Sequence, residues 1–133
     1  MIHRVLYIGS WVVDFLFAEK AYDTSEVLEY LRYANAPDSV VQRAEQIMTE
    51  NRSNTGFLYP DTEAHYAVAV VGPTTSGEEF IDTVVHEIHH LAVSIAAELG
   101  VDLEGETPAY LSGDSARAFA DIICKMGCSR CHQ

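Results

Sequence analysis

Basic side chains are scarce in this chain: 8 Lys and Arg stand against 20 Asp and Glu, for a formal charge of −12. Most of such a surface repels a phosphate backbone, which argues against direct nucleic-acid binding. An acidic protein can still act as a decoy for a basic partner, and that stays open as a separate interaction hypothesis. Cysteine is missing until the last ten residues, "CKMGCSRCHQ", where all three occur. An odd count in one terminal cluster is not a framework of staples, so a reducing cytoplasm is expected rather than secretion. No apolar run approaches the ~20 residues that span a bilayer, and no membrane partner is expected. Glycine and proline number only 8 and 4. That excludes a fibrous or linker-dominated chain, and no repeat or low-complexity tract is found.

What remains is ordinary globular usage, 48% hydrophobic and 21% charged over 133 residues. This length supports one core, so residues 1–133 are read as a single domain with 124–133 as a cysteine-containing tail. The start, "MIHRVLYIGSWVVDFLFAEKA", has a basic residue before an apolar run and could imitate a leader. Asp14 interrupts the run, and Gly9-Ser10 has the form of a two-residue hairpin turn, so Val5 to Ile8 and Trp11 to Phe17 are expected as a strand pair. Asp23-Thr24-Ser25 offers caps for a first helix, and Pro37 opens a second. Gly56 to Tyr59 reads as a short strand, and "HYAVAVV" from His65 to Val71 as a well-covered one. Ser76 with Glu79 makes a capping box that announces a long helix ending at Leu99, with Gly100 as its stop. Thr107-Pro108 then starts a last helix. The expected class is α+β: a few strands and about four helices.

In the middle of the long helix stands "VVHEIHHLA", residues 84 to 92. Four positions apart on a helix, His86 and His90 differ by about 40° in projection and one turn in height, so both can grip one metal ion. In H-E-x-x-H the two imidazoles hold zinc, and the glutamate, here Glu87, takes a proton from water whose acidity the cation raises. The stripe Phe80, Val84, Ile88, Leu91, Ile95 and Leu99 faces nearly away from the histidine pair. The neighbours of that pair are Thr83, Val93 and Ala97, which suggests a second packed surface with two buried histidines that need a partner such as a metal. His89 points elsewhere and is read as a surface or supporting residue.

A tetrahedral zinc held by two histidines needs a third protein ligand. Glu98 lies about 12 Å along the helix from His90, out of reach. Asp102, Glu104, Glu106 and Asp114 are the candidates, and the path of "GVDLEGE" decides among them. If the connection turns tightly between antiparallel helices, Asp114 comes level with His90; if it runs back extended, Glu106 arrives first. "HEIHH", followed sixteen residues after His90 by Glu106 in "ETPAYL", resembles the zincin metallopeptidases of the gluzincin type. There H-E-x-x-H on one helix is completed by the Glu of E-x-x-A or E-x-x-D on the next. The likeness covers the last fifty or so residues, and the particular form H-E-x-x-H-L with E-x-x-A-Y-L also resembles short proteins of phages and bacterial mobile elements. The resemblance implies zinc on His86, His90 and Glu106, Glu87 as general base, and a peptide or protein substrate cleaved by metal-assisted hydrolysis. Tyr110, one turn past Glu106, is a candidate for steadying the oxyanion or a ligand, with helix packing as its alternative role. The large second lobe of well-studied members is missing, so modest activity is expected. The strand His65 to Val71, just before the motif helix, is a candidate edge for an extended peptide.

Two further readings remain. Cys124, Cys128, Cys131 and His132 have the spacing of a small metal cluster, and "CSRCH" that of haem attachment, against a reduced tail. A zinc-containing binding module without catalysis, or an acidic inhibitor of a basic protein, would also use this composition.

Overall fold

The computed structural model describes residues 1–127. Two hairpins build its sheet. β1 (Ile2–Ile8) and β2 (Trp11–Phe17) pair antiparallel around the Gly9-Ser10 turn, with Ile8 opposite Trp11. Gly9 carries the left-handed φ of 57° that such a two-residue loop requires. β3 (Gly56–Asp61) and β4 (Tyr66–Val71) form the second hairpin, and β4 lies parallel to β2 with Val12 beside Tyr66. The order is β1-β2-β4-β3, a mixed four-stranded sheet in an α+β domain.

Helices cover both faces. α1 (Thr24–Tyr33) and α2 (Asp38–Glu50) occupy the crossover from β2 to the second hairpin and pack on one face. Their Val27, Leu31, Ala44 and Met48 meet Leu16, Val68 and Val70 of the sheet. α3 (Gly77–Leu99), α4 (Glu106–Ala118) and α5 (Ala120–Gly127) cover the other, where Phe80, Val84, Ile88, Leu91 and Ile95 meet Val13, Phe15, Phe17, Ala69 and Val71. Central strands sandwiched this way bury both faces, which is why "HYAVAVV" is nearly all apolar instead of alternating.

Helix boundaries follow their caps. Asp23 accepts the Glu26 N–H at the start of α1, and Ser76 accepts the Glu79 N–H at 3.1 Å before α3. Gly100 ends α3 at φ 72°. The final segment differs from expectation. It starts at Glu106, with Gly105 at the cap, and it is two helices instead of one, giving five in all among the described residues. The chain breaks at Phe119, whose ring inserts beside Phe15 and Phe17 with centroids 4.6 and 5.5 Å away. Burying Phe119 and Ile122 against the sheet outweighs continuing one helical axis. Leu99, expected on the core stripe, is 59% exposed because α3 outruns the sheet there. Among the described residues no helix is long and apolar enough to cross a membrane.

Phe119 is 1% exposed and Tyr7 73%. Phe119→Ala is therefore expected to lower unfolding free energy by about 3–5 kcal/mol, and Tyr7→Ala by under ~0.5 kcal/mol. Urea titration of both variants checks this, and equal losses would contradict the placement of α5.

Candidate functional site on the long helix

α3 lies across the sheet with its apolar stripe on β2 and β4, and this fixes where its other faces point. Glu87 falls at the margin of the core, toward β3. It is only 3% exposed, and its Oε2 has no hydrogen-bond partner among the described residues. Gly56, the first residue of β3, makes room for it: a Cβ at position 56 would come within 2.6 Å of the Val70 carbonyl and 3.1 Å of Glu87 Oε1. Only glycine permits this approach of strand to helix. Burial in these surroundings pushes the Glu87 carboxyl up from an ordinary 4.5 to about 7.

His86 and His90 stand beside it, one turn apart, with their Nε2 atoms 3.0 Å from each other. Two nitrogens bound at ~2.05 Å to one tetrahedral ion would lie about 3.3 Å apart, so the pair fits two corners of a zinc site nearly as it stands. Partial burial, then the neighbouring His86 and His89, lower the pKa of His90 and favour the neutral ring that binds metal. Beside the pair a cleft of about 360 Å³ opens between α3 and the start of β3, lined by Asn54, Thr55, Gly56, Asp82, His86 and Glu87 among others.

Several expectations need correction. Both histidines are exposed, not buried on a second packed surface: Thr83 is buried, but Ala97 is exposed. The reason is that the sheet ends at β3, so this flank of α3 overhangs its edge. The strand Tyr66–Val71 is no edge, since β2 and β3 pair with both its sides; β3 is the edge strand next to the cleft. Glu106 opens α4 as an exposed residue, and α4 packs between α3 and β1, while the cleft lies on the β3 side. No group of three His, Cys, Asp or Glu suited to a metal occurs among the described residues. Asp114 is paired with Arg117 at 2.8 Å and lines a separate hollow against β1. Tyr110 is 69% exposed, which does not fit its alternative role in helix packing. Asp102 accepts the Glu104 N–H within the α3–α4 connection, and both are exposed. Cys124 lies in α5, and the readings of the tail, which join it to Cys128, Cys131 and His132, rest on positions outside the described residues. Asp82, one turn before His86 and lining the same cleft, was not among the sequence candidates, which all lie C-terminal to the motif. Its i, i+4, i+8 spacing with His86 and His90 was there to be read.

No known protein family, curated protein or solved structure matches the chain.

The buried Glu87 carboxyl has a direct consequence for metal-free protein. Its folded pKa of about 7 lies above the ordinary 4.5, so the folded state holds this proton more tightly. The corresponding stability is complete below about pH 4.5 and is lost as pH rises to about 7. In chelator, Glu87→Gln is expected to gain up to ~3 kcal/mol over wild type between pH 4.5 and pH 8, since an amide has no charge to desolvate. Urea unfolding at the two pH values measures it, and parallel pH curves would contradict the burial of a lone carboxylate.

Proposed function

We propose that the protein is a zinc-dependent metallopeptidase of the gluzincin kind, acting on peptide bonds in a reducing cytoplasm. The observation that carries this reading is the pairing of two imidazoles 3.0 Å apart with a buried, half-unpaired carboxylate at the mouth of one cleft. A solvated helix face has no use for a buried Glu87, and burial without a partner is unfavourable unless function retains it.

In this reading His86 and His90 hold the ion; the resemblance implies Glu106 as the third ligand, and its binding requires the start of α4 to swing toward the β3 side of α3. Asp82 is its competitor, because it shares the cleft with His86. Zinc bound there supplies Lewis acidity to the scissile carbonyl and to the attacking water. Glu87 removes a proton from that water and returns it to the departing amine, and a carboxyl pKa near neutrality suits both halves of the transfer. β3 pairs with β4 on one side only, so its outer edge is available to an extended peptide beside Glu87. This replaces β4 as the candidate edge. Tyr110 stays a candidate for steadying the oxyanion.

Peptide-library cleavage by zinc-loaded protein tests the reading. Glu87→Gln is expected to keep its zinc while losing at least ~100-fold in turnover. His86→Ala loses both. Among Glu106→Ala, Asp82→Ala and Asp114→Ala, only the first is expected to lose zinc. Full turnover by Glu87→Gln would overturn the mechanism, and zinc loss in Asp82→Ala alone would move the third ligand.

A further inference from the structure

Three side chains far apart in sequence meet at the C-terminal end of α3. Ser10 sits in the β1–β2 turn, His65 in the turn before β4, and Glu98 in the last turn of α3. Ser10 Oγ lies 2.7 Å from His65 Nδ1, and His65 Nε2 lies 3.0 Å from Glu98 Oε1. With the proton on Nε2, the hydroxyl donates to the ring and the ring donates to the carboxylate, a directional chain of hydroxyl, imidazole and carboxylate.

The histidine is held from several sides. Its backbone has a φ of 51°, uncommon for a residue with a side chain. Its carbonyl accepts the Val12 N–H at 3.0 Å, and its ring stacks on buried Trp11 at 5.2 Å, within 6° of parallel. Strain maintained by surrounding structure is a mark of functional positions. The ring is 31% and the Glu98 side chain 28% exposed, so substrate can reach the chain while neither group is freely solvated. A cleft of about 460 Å³ contains Ser10 and His65 at one end and continues past Tyr33, Tyr66, Asp14 and Asp61. No Lys or Arg lines this cleft; Asp14 is already held by His3 Nε2 and the Tyr66 hydroxyl, so the Tyr33 face and Asp61, which also accepts the Glu63 and Ala64 N–H groups, are what suit a cation.

We infer that Ser10, His65 and Glu98 form a second, metal-independent centre that hydrolyses carboxylic esters carrying an ammonium group. Ser10 Oγ attacks the ester carbonyl as its proton passes to His65 Nδ1. The C–O bond to the alcohol breaks, and the alcohol leaves with that proton. Water then attacks the acyl-serine, gives a proton to His65, and frees the carboxylic acid as Oγ regains its proton. Glu98 is a positioning residue that fixes the ring's tautomer. This centre lies about 16 Å along α3 from Glu87 and does not depend on the peptidase reading.

The test is labelling of full-length protein, in excess chelator, with two organophosphonates of equal leaving group, one neutral and one bearing trimethylammonium. Phosphonylation is mapped by mass spectrometry. The expected result is modification at Ser10, about tenfold faster with the cationic probe, and at least ~100-fold slower in His65→Asn, which tolerates the same positive φ. Glu98→Gln is expected to slow it about tenfold and to shift its pH profile, and Ser10→Ala to abolish it. Circular dichroism confirms that each variant is folded. Absence of label in folded wild type, labelling that persists in His65→Asn, or labelling abolished by chelator would overturn the centre. Equal rates with both probes would overturn its preference for cationic esters.

Discussion

Everything chemical in this molecule depends on one packing interaction, the seating of α3 across the central strands. Phe80, Val84, Ile88, Leu91 and Ile95 are each at most 2% exposed against the β2–β4 face. A helix of 23 residues is longer than the strands are wide in register, so it passes two ends of the sheet. At its middle Glu87 meets Gly56; at its C-terminal end Glu98 meets His65. Burial of a single apolar stripe thus sets the position of both polar clusters, with side-chain burial worth roughly 1.5–3 kcal/mol for each large residue.

The electrostatic asymmetry within H-E-I-H-H follows from that seating. Glu87 is turned toward β3 and loses its water, which raises its pKa, whereas His86 and His90 stay at the overhanging rim. The carboxyl is shifted while the two imidazoles remain accessible. Catalytic hydrolysis needs that division: a base that holds a proton near neutrality beside ligands an ion can reach.

Much of this was legible in sequence where local chemistry decides structure. Gly9-Ser10 announced the hairpin, Ser76 and Gly100 bounded α3, and the β-branched run before Gly72 marked a covered strand. The α+β class followed from those elements. Features that depend on tertiary order were hidden. The parallel pairing of β2 with β4 makes β3 the edge, so the exposure of His86 and His90 could not be seen from helical periodicity alone. The break at Phe119 is driven by aromatic packing on Phe15 and Phe17, contacts more than 100 residues apart. Gly56 looked like a strand start and is instead the space for a carboxylate. Ser10, His65 and Glu98 carried no shared motif, because three separate turns and helix ends bring them together.

Zinc-edge X-ray absorption on metal-loaded protein tests the central claim most directly, because it reads the donors themselves. The account predicts two imidazole nitrogens and oxygen donors at about 2.0–2.1 Å, with the histidine signal lost in His86→Ala. A protein that retains no zinc, or one whose zinc is held by sulfur at about 2.3 Å and is indifferent to His86→Ala, would contradict it.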